Sequence, residues 1–329
     1  MDLSTTYMGL RLSNPIIAAS CGLTGTSDGI RKLADNGAGA VVLKSIFEEE
    51  ILLRTNRRLE EAQKDPLIYS GLSETLDYID IHLREDNLGT YLQMIIDAKN
   101  SVSIPVIGSI NCMSTEDWVH FARRMEEAGA DGIELNLFLN PADFVNKEFE
   151  KAYFRIIEKV LAVVEIPVAI KVSKYFTRMG LTIKALSETG VSSIVMFNRF
   201  FTPDIDIEKL TLIPGKLFTT PEEQAETLRW IAIMADRVHC DLAASTGIHS
   251  GNDVVRMILA GARATQVAST LYKNGPDQIK RMIKMVENWM SSKGFNSLDD
   301  FRGKLSGVYG DNPASFERMQ FMKHFSEIG

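Results

Sequence analysis

DLAASTGIHSGNDVVRMILAGARATQVASTLY, residues Asp241–Tyr272, decides how the rest of the chain is read. A short, largely apolar run, Asp241–Ala244, meets a turn of small residues at Ser245, Thr246 and Gly247, and helical spacing follows from Gly251 to Ala260. A second short run, Ala264–Val267, ends in Ala268-Ser269. Small residues after two consecutive strands let backbone N–H groups approach a ligand closely, and each following helix points its positive N-terminal end at the same spot. The pattern predicts a phosphate cradle. Strand, small-residue loop, helix and strand in this order match the last two units of a (β/α)8 barrel, where phosphate groups often bind. The plainer alternative is that these small residues only make tight turns.

Outward from this stretch, strands and helices alternate along the whole chain. Leu3–Leu12 reads as a hairpin turning at Met8-Gly9 and plugging the barrel floor. Strands are expected at Ile16–Ala19, Ala40–Leu43, Val106–Ile110, Gly132–Asn136, Val168–Val172 and Ser193–Phe197, before the two already named. Helices are expected at Ser27–Asn36, Leu88–Asn100, Thr115–Ala128 with Ser114 as N-cap, Phe149–Val164, Phe176–Thr189, Pro221–Arg237 and Asn274–Lys293. Insertions follow the second strand (Ile46–Asn87) and the sixth (Phe200–Thr220), both on the face where barrel active sites lie. Leu298–Leu305 and Pro313–Ile328 read as a helical tail. The expected fold is a parallel (β/α)8 TIM barrel, one domain over 1–329.

The totals agree with an enzyme of that class. A 329-residue chain with 45% hydrophobic residues and no spacer or low-complexity tract can bury one large core. A net charge of −7, with no basic stripe interleaved with aromatics, argues against a nucleic-acid or anionic-membrane surface. MDLSTTYMGL has neither part of a signal peptide and no apolar run could span a bilayer, so a cytoplasmic location is the expectation. Cys21, Cys112 and Cys240 are odd in number and far apart, which fits reduced thiols rather than disulfides or a metal site. His82, His120, His239 and His249 have no metal spacing and read as ordinary surface or helix residues.

Residues at the C-terminal ends of barrel strands read as catalytic more often than those elsewhere. By position these are Ser20 and Cys21, Lys44 and Ser45, Asn111 and Cys112, Asn136, Lys171, Asn198 and the two small-residue loops. Two lysines, several asparagines and a phosphate cradle suggest a planar, hydrogen-bonding, phosphorylated cofactor. Lys171 could stabilise negative charge developing on a ligand. The competing reading for it and for Lys44 is a lysine that pairs with barrel carboxylates.

Six segments in order resemble the FMN-dependent dihydroorotate dehydrogenases, in particular the soluble class 1 type: NPIIAAS, VVLKS, IELNL, AIKVSKYF, STGIHSGNDVVRMILAGARATQVASTLYKNGP and SLDDFRGKL. The resemblance implies that Ala19, Ser20, Lys44, Ser45, Asn136 and Lys171 line FMN, and that Ser245, Thr246, Gly247, Ala268 and Ser269 hold its phosphate. Lys44, Asn136 and Asn198 would serve catalysis, and Lys171 would neutralise the N1 edge of the reduced ring. It also implies a homodimer, a dihydroorotate-like small-molecule substrate and an electron acceptor, possible sources being fumarate or a partner subunit.

The resemblance breaks on the substrate side. Class 1 enzymes place a catalytic cysteine where this chain has Leu139, and leucine cannot take a proton. Ile68 stands where the family has a substrate-binding asparagine, Asn140-Pro141 reverses its Pro-Asn, Arg199 replaces a small residue and Cys21 a glycine. Cys112 and Ser73 are candidate substitutes for the base. Four readings follow: a dihydroorotate dehydrogenase; an FMN barrel acting on another reduced heterocycle or an anion met by Arg199; a flavin-free phosphate-binding lyase using Lys44 or Lys171 as a Schiff-base amine; and a binding protein that holds FMN without turnover.

Overall fold

A computed structural model describes residues 1–47, 88–111, 115–137, 149–200, 202–307 and 316. Eight parallel strands close a barrel: β3 (Ile16–Ala18), β4 (Ala40–Val42), β6 (Val106–Asn111), β7 (Gly132–Asn136), β8 (Val168–Val172), β9 (Ser193–Met196), β12 (Asp241–Ser245) and β13 (Ala264–Val267). Each pairs with the next in this order, and β13 returns to β3 through Gln266 opposite Ile17. The two-residue strand β5 (Ile46–Phe47) pairs with the upper end of β6. Around the barrel lie α1 (Ser27–Asp35), a helix over 88–101 (α2), α3 (Thr115–Glu127), α4 (Phe149–Leu161), α5 (Met179–Ser187), α6 (Gln224–Met234), α7 (Gly251–Ala260), α8 (Ser269–Asn274) and α9 (Gln278–Lys293).

The period-2 alternation of each strand divides the core in two. Outward-facing residues such as Ile16, Val41, Ile133, Ile170 and Ile194 pack under the helices. Inward-facing Ile17, Val42, Ile107, Ala169, Val195 and Ala243 form a separate cluster with Tyr7, Met8 and Leu12 of the hairpin β1 (Thr5–Tyr7) and β2 (Leu10–Leu12). The hairpin is thus the floor of the barrel, as expected. Its turn has positive φ at both Met8 and Gly9, the two-residue geometry that suits a twisted hairpin. Gly132 makes room for it: a Cβ there would lie 3.1 Å from the Met8 methyl carbon. Beyond this apolar layer the lumen holds the buried polar side chains of Glu134, Lys171 and Gln266.

Three expected elements differ. Phe176 does not begin a helix, because the Thr177 N–H donates to the Glu150 carboxylate and the Tyr175 N–H to the Ser173 hydroxyl; these bonds compete with helical ones, and α5 starts at Met179. The helix expected over Asn274–Lys293 begins only at Gln278, as α9: Asn274 ends α8, and Gly275 at φ +80° and Pro276 separate the two. Leu298–Leu305 is not a helix but one 3-10 turn, Leu298–Asp300, followed by turns. There the Gly303 and Leu305 N–H groups donate to Ile258 and Leu259 carbonyls, and Gly307 to Ala232, so the segment caps α7 and binds α6 instead of coiling on itself. The second insertion carries an antiparallel hairpin, β10 (Pro203–Asp206) and β11 (Thr211–Pro214). Ser114, nearly all of the first insertion and all of Pro313–Ile328 except residue 316 lie outside the described residues.

Candidate active site

One cavity of ≈ 340 Å³ opens at the C-terminal ends of the strands. Its wall brings together Ala19 and Ser20 after β3, Lys44 and Ser45 after β4, Asn136 on β7, Lys171 on β8, Asn198 after β9, Ser245, Thr246 and Gly247 after β12, and Ala268 and Ser269 after β13. With Cys21, these are most of the residues expected from the strand ends, now on one surface; Asn111 does not line it, and Cys112 lies outside the described residues. They meet because every parallel strand of a closed barrel ends on the same side.

The cradle turn is built by backbone. Thr246 and Gly247 both have positive φ, +78° and +75°. The Thr246 hydroxyl donates to the Phe197 carbonyl at 3.2 Å, and the Ser245 carbonyl accepts from the Thr227 hydroxyl at 2.9 Å. Of the two helix starts expected here, only that of α8 is at the wall, at Ser269. The start of α7 is instead capped within its own sequence. Asp253 accepts from the His249 and Ser250 N–H groups at 3.0 and 2.8 Å and from Gln224 at 2.9 Å. Burial alone would raise the Asp253 carboxyl, but hydrogen bonds from Gln224, His249 and Ser250 hold it below its ordinary value. Its contribution to stability is therefore present above the usual carboxylate range and lost as pH falls through its lowered value.

The pocket floor is polar and buried. Lys171 Nζ donates to Gln266 Oε1 at 2.8 Å, Gln266 Nε2 donates to Glu134 Oε2, and the ammonium stands 3.7 Å from Glu134 Oε1. Asn198 donates to the Lys171 carbonyl at 3.1 Å. The Asn136 side-chain oxygen is buried without a hydrogen-bond partner, so an acceptor in the wall awaits a donor. On the opposite side three hydroxyls form a chain: Ser20 to Ser45 at 3.0 Å and Ser45 to Ser109 at 2.7 Å. Lys44 is exposed at the rim.

Arg199 also lines the pocket, but it does not wait for an anion. Its guanidinium binds Glu223 at 3.2 Å and the Leu217 and Lys216 carbonyls at 2.6 and 2.7 Å, tying down the end of the second insertion. Four positions escaped sequence reasoning. Gln266 and Glu134 sit inside strands on the lumen face, a signal that period-2 reading of ATQV and GIELN would have exposed. Thr219 and His249 left no such trace. Thr219 comes to the wall only because the insertion folds back, where its hydroxyl meets His249 Nε2 at 2.9 Å and its N–H the Ser269 hydroxyl at 3.1 Å. His249 is thus no ordinary surface residue, whereas His120 and His239 are exposed. Ile68, Ser73, His82, Cys112, Leu139, Asn140 and Pro141 lie outside the described residues. Among the described residues no three His, Cys, Asp or Glu side chains could hold a metal ion, and no helix is long and apolar enough to cross a membrane.

Residues 2–290 match the family model described as dihydroorotate dehydrogenase. The chain belongs to the dihydroorotate dehydrogenase family. It is 28% identical to the dihydroorotate dehydrogenase B (NAD(+)) catalytic subunit of Thermoplasma acidophilum, over 92% of this chain and 98% of that protein. It is 26% identical to the protein of the same name in Pyrococcus furiosus, over 94% and 100%. With dihydroorotate dehydrogenase A (fumarate) of Lactococcus lactis subsp. cremoris it shares 25% identity over 93% and 100%. Family membership makes it an oxidoreductase of the CH–CH class built on a TIM barrel, in line with the resemblance seen in the sequence.

Proposed function

We propose that the chain binds FMN in this pocket and oxidises dihydroorotate, or a closely related dihydropyrimidine, as a step of pyrimidine biosynthesis. The observation that supports this most is the pairing of a buried cation and an unpartnered acceptor, Lys171 and Asn136, with a left-handed backbone turn and a helix start in the same cavity. The donor set fits a flat, phosphorylated ring system. Ser245, Thr246, Gly247, Ala268 and Ser269 would hold the phosphate, Ala19, Ser20 and Ser45 would lie along the ring, and Lys171 would face its electron-accepting edge. The flavin, when bound, supplies the hydride acceptor for the hydrogen leaving substrate C6.

The chain's own part is positioning and charge. Asn136 and Asn198 orient a substrate ring by hydrogen bonds, Lys44 closes the rim between substrate and cofactor, and Lys171 stabilises negative charge developing on the pocket floor. The C5 proton needs an acceptor that Leu139 cannot be; Cys112 and Ser73 are the side chains the sequence offers. Two alternatives weaken on the geometry. An anionic substrate recruited by Arg199 would have to compete with Glu223 for it. A Schiff-base role for Lys171, though not for Lys44, would have to take its Nζ out of the bond to Gln266 Oε1 and away from Glu134. An altered heterocycle as substrate remains the second reading, favoured by Leu139 and Ile68.

An anaerobic visible spectrum before and after dihydroorotate tests the reading. A yellow protein that bleaches is expected. One that stays yellow would move the activity to another reduced heterocycle, and a colourless protein that takes up no FMN would sink the flavin.

We further propose a cytoplasmic homodimer, with a possible electron-transfer partner as in the two-subunit relatives. The hairpin β10–β11 exposes Ile205, Ile207, Leu210 and Leu212 by 61–85%, with Ile205 directly across from Leu212, and exposed apolar side chains gathered on one hairpin are of the kind that marks an interface. Leu210→Lys with Leu212→Lys is expected to halve the mass seen by sedimentation while leaving the barrel folded. A monomeric wild type at tens of micromolar would refute the dimer.

A further inference from the structure

Beneath the ligand-facing wall, three strands contribute one connected set of buried polar side chains. Glu134 on β7 is 1% exposed, Gln266 on β13 is 2% and Lys171 on β8 is 8%. β7 and β8 are neighbours, with Asn136 opposite Lys171, but β13 belongs to the far side of the barrel, so Gln266 reaches across the lumen. Lys171 and Gln266 line the cavity and Glu134 does not; the carboxylate lies behind them. The amide is oriented by its neighbours. Its oxygen accepts from the ammonium at 2.8 Å and its nitrogen donates to Glu134 Oε2, while Oε1, 3.7 Å from the ammonium, has no hydrogen-bond partner. A glutamine suits this place because it has an acceptor for the cation and a donor for the anion.

We propose that Glu134 and Gln266 are positioning residues for Lys171: the bridging amide holds ammonium and carboxylate as an ion pair at 3.7 Å without a direct hydrogen bond, and the two residues set how much of the Lys171 charge acts on a ligand ring. The proposal rests on the flavin reading above. Hydrogen-bonded directly, the carboxylate would take up a donor of the ammonium and more of its field toward the pocket. Spaced by the amide, the ammonium keeps donors for the ligand while the carboxylate behind it reduces its field. Neither Glu134 nor Gln266 needs to react.

The two residues therefore have opposite expected effects on the same quantity. Sulfite affinity of the FMN-loaded protein tracks how well the site stabilises negative charge at the ring, and it is read from the visible spectrum without turnover. Glu134→Gln keeps the shape and removes the opposing charge, and should tighten sulfite binding about tenfold. Gln266→Leu removes the spacer, lets Lys171 close on Glu134, and should weaken it by about the same factor. A role confined to packing would move both variants in one direction or neither; either outcome, or changes within about twofold, overturns the proposal. If the wild type takes up no FMN, the flavin reading fails separately. The charge coupling is then read in the cofactor-free protein from urea unfolding of Glu134→Gln, Lys171→Met and the double variant. Lys171→Met should destabilise far less in the Glu134→Gln background than alone, and additive effects would overturn the coupling.

Discussion

Lys171→Met is expected to show the largest combined loss of any single change in the pocket. Methionine fills nearly the same volume, so the cavity keeps its shape, but the buried Glu134 carboxylate loses its only cation within 4 Å among the described residues and keeps only the Gln266 amide. Removing one partner of a buried pair costs about 3–5 kcal/mol, because the remaining charge stays desolvated. That shift should appear in urea unfolding followed by tryptophan fluorescence. The chemical loss is separate. With the ammonium gone, reduction of the bound flavin by dihydroorotate should slow on the order of 100-fold or more, the scale of losing one charge-stabilising donor. A variant within about 1 kcal/mol of wild type would mean that Lys171 and Glu134 are not coupled as the geometry requires. Unchanged flavin reduction would remove Lys171 from the machinery.

Gly247→Ala is expected to be nearly as damaging, for reasons that lie in the backbone. At φ +75° an L-residue is strained by roughly 1–2 kcal/mol, and the added Cβ would stand 2.2 Å from the Gln224 nitrogen and 2.8 Å from its Cα. Backbone at the start of α6 cannot swing aside as a side chain would, so the turn itself must move, at a further cost of about 1–3 kcal/mol. A displaced turn should lower FMN affinity on the order of tenfold or more while changing riboflavin affinity little, since only FMN carries the phosphate. Loss of preference for FMN over riboflavin is thus the specific readout, measured by quenching of flavin fluorescence. Thr246→Gly, at φ +78° in the same turn, should relieve strain and retain that preference. A Gly247→Ala protein with wild-type melting and wild-type preference would show that the phosphate is not held here.

Much of this site was legible in one dimension. Strand ends in a parallel barrel all face one way, so Lys44, Asn136, Lys171, Asn198 and the two small-residue loops could be assigned to one mouth before any contact was known. The hairpin floor was equally readable, from alternation around Met8-Gly9. Helix boundaries were less so at Phe176 and Leu298, because distant acceptors, the Glu150 carboxylate and the carbonyls of α6 and α7, capture N–H groups that local spacing assigns to a helix. Arg199 shows the same limit in the site itself: its charge is visible in sequence, but its commitment to Glu223, Leu217 and Lys216 is not.

The barrel, its polarity and the types of chemical group at its mouth are written in local patterns with local causes: period-2 strands, helical spacing and small-residue turns. Which of those groups act together depends on how the barrel closes. Glu134, Lys171 and Gln266 are 132 residues apart at the extremes and meet only when β13 closes the barrel opposite β7 and β8. Closure also places their charges in a buried lumen, where a separation of a few ångströms decides how strongly each one acts on a ligand.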